Sequence, residues 1–143
     1  MIDSICIKEE EIIMEYEGEK ELNLLLKRLQ AHLSDDEFVI ACVERVESSI
    51  TPFAVVREKE GLTIVITTGE ACKIPISFSH TWALITCEVH SSLLAVGLTA
   101  HLSSALARSG ISANIIAGYY HDHVLVPYEL RGQALCILNN LGM

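Results

Sequence analysis

The chain has 143 residues, half of them apolar and a fifth charged, which suits one ordinary domain or two small packed units and excludes disorder. A net charge of −9 argues against nucleic acid, because phosphate binding needs clustered Lys and Arg. The first 60 residues hold 15 of the acids and 7 of the bases, so the remainder, with 4 and 3, is nearly neutral and reads as built to be covered. No basic start leads into an apolar core, and no charge-free apolar run of about 18 residues occurs, so neither a signal peptide nor a membrane span is expected. Five cysteines, odd in number and never in C-x-x-C spacing, read as buried small hydrophobes in a reducing cytoplasm rather than as disulfides or a zinc site.

In chain order, Ile12–Tyr16 reads as a short strand that Gly18 ends. Leu22, Leu25, Leu26, Leu29 and Leu33 then fall at helical spacing and predict one amphipathic helix, which Ser34-Asp-Asp36 breaks. Phe38–Val43 is a buried strand by its β-branched content, and Glu44–Pro52 is turn-like. Phe53–Val56 and Leu62–Thr67 flank a charged turn, Arg57-Glu-Lys-Glu-Gly61, as two strands. Thr68–Ser79, limited by Pro75, is a loop or a short helical turn and the best boundary, dividing the chain into units 1–73 and 74–143.

The second half opens with the strand Trp82–His90, which places Ile85, Cys87 and Val89 on one face and Leu84, Thr86, Glu88 and His90 on the other. Ser91 or Ser92 is positioned to cap the next helix, whose buried stripe is Leu94, Leu98, Leu102, Ala105 and Leu106. Ser109-Gly110 stops it. Ile111–Ala117 and His121–Val126 form a hairpin, and a last helix buries Leu130, Ala134, Ile137, Leu138 and Leu141. Both halves thus repeat strand, helix, strand, strand, helical piece. The second unit ends without a fourth strand, so its edge must be closed by the N-terminal segment or a second chain.

The runs Val89-His-Ser-Ser-Leu-Leu-Ala-Val-Gly-Leu-Thr-Ala100, Gly110-Ile-Ser-Ala-Asn114 and Tyr119-Tyr-His-Asp-His-Val-Leu-Val-Pro127, with Arg57-Glu-Lys-Glu-Gly-Leu-Thr63, resemble small, largely uncharacterised tandem ACT-domain proteins. The arginine-sensing CASTOR proteins carry distantly similar modules. The resemblance spans about residues 20 to 141. It implies an α+β fold of two ferredoxin-like βαββαβ units packed together, with antiparallel sheets and helices on one face. It also implies a non-enzymatic regulatory module that binds an amino acid or similar effector where ACT units meet, pairs as a homodimer and signals through an unidentified downstream protein.

The candidate ligand site is the Ser91-Ser92 turn, where a helix N-terminus offers unpaired N–H groups to a carboxylate. Leu93 extends that turn, and Gly97 lacks a Cβ, so a ligand can approach beside Val96. Asn114 offers an amide that donates and accepts, with Ile115 and Ile116 as walls; Arg57 and Glu58 are possible secondary contacts. The competing reading is a simple serine cap with a glycine that permits tight packing. His121-Asp122-His123 with His90 allows an alternative, a metal-binding protein or metal-dependent hydrolase, although His-x-His alone is a weak signal. A purely structural dimerisation module is a third reading. No phosphate loop or dinucleotide fingerprint is present, so no cofactor is expected.

Overall fold

A computed structural model of the chain describes residues 18–143; the strand expected at Ile12–Tyr16 and Cys6 lie outside them. Glu21 starts helix α1, Leu22–Arg28, its carboxylate accepting from the Leu24 amide at 3.1 Å. The helix expected to reach Leu33 ends there. Leu29 turns to extended backbone, and the chain enters the 14-residue strand β1, Gln30–Val43. The leucine spacing misled because Leu29 and Leu33 serve a strand whose pairing outweighs helical periodicity: Ala31 is buried while His32 is exposed. Ser34-Asp-Asp36 is not a break but lies where the β1 register shifts, between Leu33 and Glu37, as a bulge would.

The remaining elements are β2 (Ala54–Arg57), β3 (Leu62–Thr67), α2 (Thr68–Ala71), β4 (Trp82–Glu88), α3 (Leu98–Arg108), β5 (Asn114–Ala117), β6 (Asp122–Pro127), a 3-10 turn (Tyr128–Leu130) and α4 (Arg131–Asn139). The six strands among the described residues form one antiparallel sheet in the order β2-β3-β1-β4-β6-β5.

From either edge inward the halves are arranged alike, β5, β6 and β4 taking the places of β2, β3 and β1. β3 and β6 carry the same burial pattern. Their hairpins close alike, Glu58 N–H donating to the Gly61 carbonyl and Gly118 N–H to that of His121, each at 2.9 Å. Phe38 and Trp82 occupy equivalent places in the two halves and pair with each other, so a local two-fold passes between them. The closing strand that the second unit needs is therefore the first part of β1. Gln30–Leu33 pairs with Ile85–Glu88, while Phe38–Val43 pairs with β3.

One face of the sheet carries the helices. Leu25, Leu102, Leu106 and Leu138 seal Ile85, Cys87, Val124 and Val126 from water. The smaller cluster of Val39, Ile64 and Ile66 lies under Ile50 and Ala71. The opposite face holds Phe38, Val65, Leu84 and Leu125. No helix is needed there because the sheet rolls inward. Phe53, bonded to the β3 edge through the Val65 carbonyl, would lie about 19 Å from β6 in a flat sheet, four strand spacings away. Its ring instead meets that of His123 at 5.0 Å.

Three further expectations are corrected. Helix α3 begins only at Leu98, with Gly97 as its cap at φ 100°, so neither Ser91 nor Ser92 caps it. Leu94 is 76% exposed rather than part of the buried stripe. Of the described cysteines only Cys87 is buried; Cys42, Cys72 and Cys136 are exposed.

Candidate functional site

The β1/β4 pair joins the two halves, and a cleft of about 940 Å³ opens at the end where β1 begins and β4 stops. Gln30 and Glu88, which face each other across the pair, form its floor with Val89 and His90. Arg28, the last residue of α1, enters from one side and His121, just before β6, from another. The segment Gly18-Glu19-Lys20 closes the cleft. It runs parallel to residues 90–92: Glu19 N–H donates to the His90 carbonyl at 2.7 Å, and Ser92 N–H to the Glu19 carbonyl at 2.9 Å. A Cβ at position 18 would sit 2.5 Å from the Ser91 carbonyl carbon and the Ser92 nitrogen, so only glycine lets the strands approach this closely.

Both signs of charge line this cleft: Lys20 and Arg28 against Glu19 and Glu88. Backbone N–H groups of Glu21 and Lys20 hold the Glu19 carboxyl below its ordinary value, with Arg28 adding to the effect. Glu88 lies 3.4 Å from His32, but both side chains are more than half exposed, so this pair contributes little to stability. Nδ1 of His121 is buried without a hydrogen-bond partner. Such an orphan calls for an explanation, because unpaired buried polar atoms are costly.

Ser91 and Ser92 do not line this cleft; they follow its lining residue His90 and pair with Glu19 through the backbone. Ser92 Oγ accepts from Leu94 N–H at 3.1 Å, making a local turn. Beyond it Leu93 and Val96 project into solvent, and Gly97 lies under Leu22, whose Cδ2 would be 3.2 Å from an added Cβ. Asn114, Ile115 and Ile116 are not brought to this loop. Strand alternation sends Ile115 to the helix-covered core and Ile116 to the rolled face, while Asn114 lines a second cleft near Trp82. Arg57 and Glu58 lie on the β2–β3 hairpin, where Glu58 accepts from the Thr63 hydroxyl.

The three histidines of the metal alternative do not gather around a point among the described residues. His90 and His121 rings are 6.0 Å apart, while His123 packs on Phe53 and has its Nδ1 3.0 Å from Thr86 Oγ1. No three His, Cys, Asp or Glu side chains among the described residues converge as ligands. Burial and the neighbouring His121 hold the His123 pKa below its ordinary value, and burial raises that of Asp122 against the opposing effect of His121.

The sheet order, the repeated hairpins and the one-sided helices match a known architecture. Two family models described as ACT domain match, over residues 17–82 and 77–140. The chain belongs to the ACT-domain family. Among solved structures it is similar to a Vibrio cholerae protein of unknown function, described as a possible transport protein. The two share 42% identity at a TM-score of 0.77, covering 87% of this chain and 98% of that one. A protein from Agrobacterium tumefaciens shares 18% identity at TM-score 0.66, over 80% of this chain and 90% of its own. The ligand-free regulatory subunit of aspartate kinase from Thermus thermophilus shares 13% at 0.57, over 78% and 95%. Those two likenesses are of fold. No curated protein matches the chain significantly. This ACT-domain chain has, among its described residues, no helix long and apolar enough to cross a membrane.

Sequence reasoning missed Lys20, Arg28 and Gln30 as lining residues, because the helix it ran from Leu22 to Leu33 took in Gln30, and it read Gly18 as a strand end. The signal available was Glu88, a charged residue closing an apolar strand.

Proposed function

We propose that this ACT-domain protein is a non-catalytic regulatory module whose effector is an amino acid or a similar zwitterion, held in the cleft at the β1/β4 seam. One observation carries the reading: Lys20 and Arg28 converge with Glu19 and Glu88 around a single opening, matching a carboxylate and an ammonium group a few ångströms apart. The orphan Nδ1 of His121 supports a polar ligand that completes its hydrogen bonding. The Ser91–Gly97 loop follows the lining residue His90 in the chain, and its Ser91-Ser92 start pairs with Glu19, which lines the cleft. Its exposed Leu93 and Val96 support contact with a second copy of the chain, and a downstream protein reads the bound arrangement as a coupled equilibrium.

Thermal unfolding in the presence of each of the twenty amino acids tests this. A ligand at about 100 times its Kd adds about 2.7 kcal/mol, a shift of several degrees. The double change Arg28→Gln with Glu88→Gln should abolish that shift while leaving the unliganded midpoint nearly unchanged. Silence across all twenty amino acids at tens of millimolar would sink the proposal.

A further inference from the structure

Strand β1 is longer than either of its neighbours, so each end has one unpaired side. The hairpin bonds fix which residues point where. Because Glu58 pairs with Gly61, the N–H and C=O of Thr63 and Val65 face β2, and those of Ile64 and Ile66 face β1. Val39 and Ala41 therefore face β3, and Ile40 and Cys42 face the other way. By the same alternation Gln30 and His32 face β4, leaving Ala31 pointing outward where β3 does not reach.

At the first end the outward groups are satisfied. The Asn139 side chain, from the end of α4, accepts from Ala31 N–H at 2.8 Å and donates to its carbonyl at 3.1 Å, taking the place of a strand. Among the described residues nothing does so at the other end. β4 stops at Trp82, opposite Phe38, and no backbone bond from another described residue reaches Ile40 or Cys42 from that side. They border a second cleft of about 940 Å³.

The local two-fold says what belongs there. The edge of β4 at Thr86 and Glu88, which corresponds to Cys42 and Glu44, is covered by the antiparallel strand Gln30–Leu33, and Leu84, which corresponds to Ile40, lies beside the register shift of that same pair. The counterpart of Gln30–Leu33 in the first half is residues 74–77, which form no strand. Pro75 sits in a tight turn that Ile76 N–H closes on the Ile74 carbonyl at 2.9 Å, and Ile74 and Ile76 are packed under the sheet.

We propose that the Val39–Val43 edge is a docking site for an extended, uncharged peptide segment of another protein, which adds as an antiparallel strand and completes the first ACT unit. Five residues span about 17 Å at strand rise, the length of the open edge. Ile40, Phe78 and Trp82 offer apolar wall, and Ser77, Ser79 and Asn114 offer hydrogen bonds for alternate side chains. The cleft is lined by no Asp, Glu, Lys or Arg although the chain carries −9, so a charged peptide finds no counter-ion here.

Residue-resolved amide exchange on the full chain tests this. Without peptide, the Ile40 and Cys42 amides should exchange far faster than those of Val39 and Ala41. The capped peptide acetyl-Thr-Val-Thr-Val-Thr-amide at millimolar concentration should slow both by about tenfold or more. The same peptide N-methylated at its first valine and central threonine should bind more weakly. Cys42→Pro removes a slot-facing N–H without touching the β3 ladder and should abolish protection; because proline can disturb a strand, Phe78→Ser serves as the second variant and should weaken it with the fold intact. Amides already as slow as Ala41 without peptide, no protection at millimolar peptide, or equal binding of the N-methylated form would each overturn the proposal. Protection that rises with protein concentration alone would assign the edge to a second copy and overturn it too. None of these outcomes depends on the amino-acid cleft.

Discussion

The second ACT unit buries its sheet beneath α1, α3 and α4, whereas the first has, among the described residues, the four-residue α2 with Ile50, Ile74 and Ile76 over the same face. Strands β3 and β6 are nevertheless alike in length and burial. The difference teaches that the repeat is one of strands, and that the second unit supplies most of the hydrophobic stabilisation for both. Burial of apolar area scales with coverage, so the core should respond to damage unequally.

The largest expected effect is on the heavily covered side. Leu102→Ala, at a fully buried position, should cost toward the upper end of about 2–5 kcal/mol in chemical denaturation, while the matching truncation Ile50→Ala over the thin side should cost about 2 kcal/mol. Equal losses would break the comparison. Next, Asn139→Ala leaves both outward groups of Ala31 unpaired and should cost about 1–3 kcal/mol, since half-buried polar groups lose their partners.

A smaller effect is expected with pH. Burial, with the nearby His121, lowers the folded-state pKa of His123, so the neutral imidazole is favoured in the folded chain. Its contribution is complete above the unfolded value, about 6.5, and is lost as pH falls from there through the folded pKa. His123→Gln should flatten that part of the stability–pH profile; an unchanged slope would show that another group carries it. The smallest change is chemical rather than thermodynamic. Burial, aided by Asp122, pushes the Cys87 thiol up to about 12, so at pH 8 iodoacetamide should modify the exposed Cys42, Cys72 and Cys136 and spare Cys87 until the protein unfolds. Mass spectrometry of the labelled native chain reads this directly.

Most of the strands were legible because their signals are local: alternation in Trp82–Glu88, a charged turn after Val56, and Gly110 at a helix end. The ACT resemblance rested on the same stretches, and the fold agrees. The failures came where tertiary pairing overrides spacing. Leu29 and Leu33 satisfy a helical pattern as well as a strand, and only the presence of β4 alongside decides between them. The unmet edge of the second unit was visible from counting strands, yet its filler was hidden inside the misread helix. The seam cleft was illegible for the same reason, since Gln30 reaches Glu88 only once β1 exists. Ile115 and Ile116 could not both wall one pocket, a consequence of strand alternation that the sequence reading did not apply there.

The exchange by which β1 lends its first part to the second unit has a consequence for how the molecule comes apart. A cut between residues 73 and 74 would hand each fragment a sheet lacking the neighbour that its partner holds, so neither piece should fold alone, while mixing them should restore one complex. For the intact chain the same exchange couples the repeats into a single melting event, with equal calorimetric and van't Hoff enthalpies.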